Sequence, residues 1–143
     1  MNWKRIILGG LAAGVLFDIL EFTFSGALIG PGYAARLQTL GIHEEPSLAA
    51  LAFIVAWGLT VGWVAVWFYA AVRPRLGPGP RTALAVAVAL WLVNSLLPHL
   101  HEGFLGLFAM RLCVAFAALE LVYMVLATLL GAFLYREAPD SRA

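Results

Sequence analysis

Residues 48–72 constrain this chain most, because they run for 25 positions without a charged side chain. A helix needs about 20 mostly apolar residues to cross the roughly 30 Å hydrocarbon core of a bilayer. Of the 143 residues in the chain, 63% are hydrophobic and only 12% are charged, whereas roughly 25% are charged in an average soluble domain. These few polar residues cannot cover a soluble fold of this size, so lipid is the predicted outer solvent.

Four segments have the length and composition of transmembrane helices, at about residues 3–24, 48–72, 82–97 and 112–135. Pro98 is predicted to end the third segment. We therefore predict an all-α fold, a four-transmembrane-helix bundle in which residues 1–143 form a single membrane domain. The first segment could instead be a signal peptide, since two basic residues precede its apolar run and residues 25–27 resemble a cleavage site. Asp18 and Glu21 interrupt that run and favour a helix that is not cleaved.

The connections between the segments are short, with one exception. Residues 73–81 alternate glycine and proline with arginine, which is typical of a tight, helix-breaking turn. The long connection covers residues 25–46. Within it, residues 33–40 are predicted to form a short helix on the membrane surface, ended by Gly41.

The nine basic residues are distributed unevenly in this topology. Arg36 and Arg111 fall on one side of the membrane. The other seven fall on the opposite side, namely Lys4, Arg5, Arg73, Arg75, Arg81, Arg136 and Arg142. Because Lys and Arg are enriched on the cytoplasmic side, the N-terminus and the C-terminus are both predicted to be cytoplasmic. The predicted location is the inner (cytoplasmic) membrane, as a multi-pass protein.

Two pairs of glycines predict where helices pack. Gly10 and Gly14 lie four residues apart on the first segment, and Gly58 and Gly62 lie four apart on the second. Small residues at this spacing let two helices approach closely in lipid. The faces are predicted to hold the first two helices against each other or against a partner. The stripe on the first helix, with spacings of three and four residues, comprises Gly10, Gly14, Asp18, Glu21 and Ser25.

Carboxylates inside the predicted membrane region are the strongest candidates for function. Asp18, Glu21 and Glu120 fall in the outer half of their helices, and Asn94 lies at a similar depth. A charge at the bilayer centre costs ~2.5–3.5 kcal/mol on insertion scales, so such acids are functional candidates by default. They could form a site for a proton, an ion or a small molecule. Alternatively, they are protonated or hydrogen-bonded and fix helix packing. Arg111 is also a candidate partner for Glu21 near the outer surface.

The histidines suggest a metal site at the outer face. His99, His101 and Glu102 lie within four residues, and in an extended turn both imidazoles would point the same way. His43 could add a ligand from the long connection. Imidazole with carboxylate suits zinc, copper or iron. The alternative is that these polar residues simply fill loops exposed to water. Haem is disfavoured, because all three histidines are predicted at or beyond helix ends.

No catalytic motif is evident, so an enzymatic function is not predicted. None of the serines lies in a nucleophile motif. The single cysteine, Cys113, does not lie in one either and is part of an apolar run. Prolines interrupt the glycines of residues 73–81, and proline lacks the N–H groups that a phosphate-binding loop needs. Because the net charge is +1 and no basic face is clustered, nucleic-acid binding is not predicted.

The chain resembles small bacterial four-helix membrane proteins that carry no assigned function. The resemblance rests on the glycine-rich residues 8–14, the end of the long connection at Gly41, and residues 67–80 and 131–137. It implies the four-helix topology and no catalytic residues.

Three functions remain open at this stage. The first is a structural or accessory subunit that packs in the bilayer as a homo-oligomer or within a larger membrane complex. The second is a bundle that binds an ion, a proton or a small molecule through its buried carboxylates. The third is a metal-binding or redox protein with its site at the outer face.

Overall fold

The computed structural model describes residues 1–42 and 47–135 and contains only helices and their connections in that part of the chain. The five helices are α1 (Trp3–Leu28), α2 (Gly30–Thr39), α3 (Leu48–Leu76), α4 (Pro80–Phe104) and α5 (Met110–Leu134). All but α2 are long and apolar enough to cross a membrane. The predicted all-helical fold with four candidate membrane spans is therefore confirmed.

The helix starts are stabilised by side chains that replace missing backbone partners. Asn2 accepts a hydrogen bond from the backbone nitrogen of Arg5 at 3.3 Å, and Ser47 accepts one from Ala50 at 3.1 Å. These side chains satisfy amides at the first turns of α1 and α3, which have no acceptor within the helix. The polar caps thus fix where each of these two apolar helices begins.

The long helices pack around α1 and α5. Helix α1 makes its main contacts with α3 and α5, and α5 also packs against α4. Ile6, Val66 and Met124 are almost completely buried where α1, α3 and α5 meet. Trp91 reinforces the contact between α4 and α5, because its indole Nε1 donates to the carbonyl oxygen of Ala117 at 2.7 Å. Helices α1 and α4 consequently lie on opposite sides of the bundle.

The four glycines of the predicted packing faces lie between α1 and α3. A Cβ on Gly14 would be 2.5 Å from the Cα of Leu59, and a Cβ on Gly10 would be 2.7 Å from that of Trp63. A Cβ on Gly62 would overlap the backbone nitrogen of Gly14. Only glycine allows the two backbones to approach this closely. The two faces therefore pack against each other within the chain.

The predicted end of the third span at Pro98 is wrong. Helix α4 continues to Phe104, after a π-helical turn at Leu92–Leu96. A proline ring normally clashes with the carbonyl group four residues earlier, and proline has no N–H to donate. The wider π turn relieves this conflict, and Pro98 then occupies the first turn of the α-helical segment that follows, where its N–H is not needed. Helices α1 and α3 also extend four residues beyond their predicted ends.

Helix α2 occupies the region where residues 33–40 were predicted to be helical, and Gly41 ends it at a positive φ of 79°. Arg36 ties α2 to the loop between α4 and α5, since its Nε donates to the Leu107 carbonyl at 2.6 Å and its Nη2 to the Gly106 carbonyl at 2.8 Å. The ring of Tyr33 stacks on that of Phe108, with centroids 4.5 Å apart. We call this end of the bundle, where α1 ends and α5 begins, the capped end.

Candidate functional site

Polar side chains from three helices meet near the capped end, and we call them the carboxylate–histidine cluster. Its members are Glu21 and Ser25 of α1, His99 and Glu102 of α4, and Glu120 and Tyr123 of α5. All six lie within candidate membrane spans. The cluster therefore joins the three helices by polar contacts in a bundle that is otherwise mostly apolar.

His99 lies at the centre of the cluster, between two carboxylates. Its Nδ1 is 3.3 Å from Glu102 Oε2, and its Nε2 is 3.4 Å from Glu120 Oε1. The ring stacks on Phe116, with centroids 5.4 Å apart and planes at 20°. Only the doubly protonated imidazolium can donate from both ring nitrogens at once. The arrangement is thus suited to hold a proton between two acids.

The extension of α4 beyond Pro98 is what brings His99 to this position. Because the backbone is helical there, the side chain faces α5 and is only 20% exposed, while that of Glu120 is 14% exposed. Sequence reasoning placed His99 in a loop beyond the helix end. It therefore missed the pairing of His99 with Glu120, which links α4 to α5 within the cluster.

Glu21 is positioned by the π turn Glu21–Ser25, which interrupts the α-helical geometry of α1. The Ser25 hydroxyl donates to Glu21 Oε2 at 3.2 Å and lies 3.5 Å from the hydroxyl oxygen of Tyr123. Ser25 is 3% exposed, so these contacts form away from solvent. Glu21 also lies within range of electrostatic interaction with Glu120 and His99. The acid of α1 is therefore part of the same electrostatic unit.

The surroundings of the cluster supply few compensating charges. The half of α3 nearest the capped end contributes no ionisable residue. Helix α2 contributes Tyr33 and Arg36, and Arg36 is hydrogen-bonded to backbone carbonyls. Burial raises the pKa of the Tyr33 phenol, and the nearby Glu102 carboxylate adds to the increase. The predicted pairing of Arg111 with Glu21 is absent among the described residues, and Arg111 is exposed.

The other residues of the predicted carboxylate site lie elsewhere. Asp18 is placed against Gly58 at the contact between α1 and α3, although it remains within electrostatic range of Glu21. Asn94 lines a separate cavity of about 180 Å³ between α3 and α4, together with Thr60. The structure thus brings Glu21 and Glu120 together, keeps Asp18 beside them, and separates Asn94 from them.

The prediction that His99 and His101 point the same way is wrong. Both belong to a helix, in which residues two apart are about 200° apart around the axis, and His101 is exposed whereas His99 is partly buried. They cannot share one metal ion in this conformation. Over residues 1–42 and 47–135, no group of three or more potential ligands is arranged to hold a metal ion. His43, the remaining candidate ligand, lies outside the described residues.

Sequence reasoning also missed the aromatic members of the site. Tyr123 follows Glu120 by three residues, and Phe116 precedes it by four, so all three share one face of α5. That spacing is a signal that could have identified both residues. Tyr33 could not have been identified in this way, because its position depends on how α2 folds back over the bundle.

Searches of known protein families, characterised proteins and solved structures find no match to this chain.

Proposed function

We propose that this protein is a multi-pass membrane bundle that binds and releases protons at its carboxylate–histidine cluster. The observation that carries the proposal is the position of His99 between Glu102 and Glu120, inside a membrane-spanning helix. Membrane-embedded acids and histidines in contact are typical of proton-binding sites and proton relays. The proposal develops the second of the three functions left open by the sequence.

Charge balance supports a shared proton. If Glu21, Glu102 and Glu120 were all ionised, a single imidazolium would leave a net charge of −2 on the cluster. Such an excess is unfavourable in a medium of low dielectric constant. Shared protons reduce it, and groups this close titrate as one coupled unit instead of as independent residues. The cluster is thereby suited to take up or release protons in response to conditions at the capped end.

In the structure, the features that suggested the two other functions support them less well. The glycine faces that suggested an accessory role are used within the chain, between α1 and α3, and so provide no surface for a partner. The two histidines proposed for a shared metal diverge on α4. Assembly as a homo-oligomer or within a larger complex stays a prediction, for which no particular surface is proposed.

We further propose that the capped end faces away from the cytoplasm. Lys4, Arg5, Arg75 and Arg81 lie at the opposite end of the bundle, while Arg36 and Arg111 lie at the capped end. The positive-inside rule then orients the termini toward the cytoplasm. A fluorescent protein that folds only in the cytoplasm should be bright when fused to the C-terminus. The opposite orientation would be indicated if this fusion were dark and if an enzyme that is active only in the periplasm were active when fused at the same position.

Nuclear magnetic resonance of ¹⁵N-histidine-labelled protein tests the proton-binding function. We expect the ring nitrogens of His99 to titrate in more than one step, because neighbouring carboxylates titrate with them. Glu120→Gln should remove at least one step and leave the exposed His101 unchanged. His101 provides the internal control, because its resonances should be the same in both proteins. A His99 curve that has one step and is identical in the wild type and the variant would refute proton binding by the coupled cluster.

A further inference from the structure

A cavity of about 200 Å³ opens beside the carboxylate–histidine cluster at the capped end. Its walls come from α1, α2, α3 and α5. The side chains that line it are those of Glu21, Phe22, Ser25, Tyr33, Ile54 and Phe116. Glu21 is therefore shared between the cluster and the cavity, and it is the only ionisable acid among the described residues that line this space.

The aromatic walls of the cavity are held in place by contacts behind them. Tyr33 stacks on Phe108 and meets the ring of Phe116 edge-on, with centroids 5.9 Å apart. Phe116 is in turn stacked on His99. Arg36 anchors α2, which carries Tyr33, to the loop between α4 and α5. Two of the three aromatic rings that line the cavity, those of Tyr33 and Phe116, are therefore held in place beside one carboxylate.

The carboxylate of Glu21 has unused capacity to bind a ligand. Ser25 donates to Oε2, and across the described part of the chain no side chain or backbone group donates to Oε1. Glu21 is partly buried, and an ionised carboxylate beside apolar and aromatic side chains is unfavourable when, as among the described residues, no cation is in contact with it. A ligand that carried positive charge into the cavity would satisfy it, and the aromatic faces would favour the same charge.

The composition of the walls selects among classes of ligand. A Ca²⁺ or Mg²⁺ ion needs six or more oxygen ligands, and the cavity offers one carboxylate and one serine hydroxyl besides the phenol of Tyr33. An anion would be repelled by Glu21. A neutral apolar molecule would fit the walls but leave the carboxylate unpaired. An organic cation, with a charged nitrogen and apolar substituents, satisfies both the acid and the aromatic walls.

We propose that this cavity binds a small organic ammonium cation, with its nitrogen at Glu21 and its apolar substituents against Phe22, Tyr33 and Phe116. The proposal deepens the proposed function, since Glu21 belongs to the proton-binding cluster and the cation would occupy the space beside it. The bundle would then exchange or sense a cation of this class together with protons.

The test uses phenyltrimethylammonium as the probe and the full chain in detergent micelles. Methyl resonances of ¹³C-labelled isoleucine report the location, because Ile54 lines the cavity while Ile7 is exposed on α1 far from it. We expect a saturable shift of Ile54 and none of Ile7. The neutral isostere tert-butylbenzene, in which carbon replaces the nitrogen, should bind more weakly by about tenfold, the factor typical of losing one charged contact.

Variants separate the carboxylate from the walls. Glu21→Gln should weaken binding of phenyltrimethylammonium about tenfold or more, whereas His101→Leu, which changes an exposed residue of α4 that does not line the cavity, should leave it nearly unchanged. Tyr33→Leu keeps the carboxylate and should weaken binding by about two- to fivefold through loss of one aromatic face. Spectral dispersion shows that each variant is folded.

Two outcomes would overturn the proposal. One is an Ile54 resonance that does not respond to the cation in the folded wild type. The other is equal binding of the cation and its neutral isostere, unaffected by Glu21→Gln, which would make the cavity merely apolar. Neither outcome bears on the stepwise titration of His99, which is measured without any cation, so the two proposals can fail separately.

Discussion

Gly62→Ala is expected to destabilise the bundle by about 1–3 kcal/mol, although it adds only one methyl group. The new Cβ would overlap the backbone nitrogen of Gly14, and backbone atoms on both sides leave no flexible side chain to move aside. Helices α1 and α3 would have to separate over the whole length of their glycine contact. The free energy of unfolding, measured by titration with a denaturing detergent, gives the size of the effect.

Gly26→Ala provides a matched control within the same bundle. Gly26 is also helical, but a Cβ there would meet nothing within 4 Å. Since alanine favours a helix over glycine by about 1 kcal/mol, this variant should be as stable as the wild type or slightly more so. Equal stability of the two variants would show that close backbone contact between α1 and α3 does not hold the bundle together.

His99→Leu is expected to destabilise the folded protein by about 2–4 kcal/mol near neutral pH. The leucine removes the imidazole that faces Glu102 and Glu120, which leaves partly buried carboxylates near one another with no cationic partner among the described residues. Protonating a carboxylate removes the unpaired charge. The difference in stability between the variant and the wild type should therefore shrink as the pH falls, and unfolding titrations at several pH values measure it.

His101→Leu is the corresponding control, two residues along the same helix. His101 is exposed and makes no polar contact with the other described residues. Its substitution should change stability by no more than about 0.5 kcal/mol. A pH-independent loss in His99→Leu, as large in acid as at neutral pH, would indicate that His99 contributes packing against Phe116 and no charge compensation.

Hydropathy predicted the four spans because lipid imposes one requirement on every residue of a spanning helix. The contact between α1 and α3 could be anticipated for a related reason. Each helix carries a local pair of glycines, Gly10 and Gly14 on α1 and Gly58 and Gly62 on α3. Such a pair allows close approach to any second helix that carries a similar pair. The predictions of the four spans and of this glycine contact therefore agree with the structure.

The candidate site could be predicted only in part, because it depends on the rotation of helices about their axes. Glu21 and Glu120 were identified as membrane-embedded acids from their depth alone. His99 was placed beyond the membrane helix, since Pro98 normally ends a helix and the π turn that accommodates it is not evident in the sequence. Asn94 was grouped with the acids by depth, yet it lines a separate cavity between α3 and α4.

Because of the π turn at Leu92–Leu96, the orientation of His99 depends on the number of residues in this stretch of α4. A π turn closes its hydrogen bond over one more residue than an α turn does, and one residue corresponds to about 100° of rotation around a helix. Everything in α4 beyond Leu96 is therefore rotated relative to an uninterrupted α-helix. Loss of one residue between positions 92 and 96 would let the helix return to regular geometry with His99 still facing Glu120, because the π turn accommodates one additional residue. A regular α-helix that kept all of these residues, or the loss of a second residue, would instead turn His99 by about 100° away from Glu120.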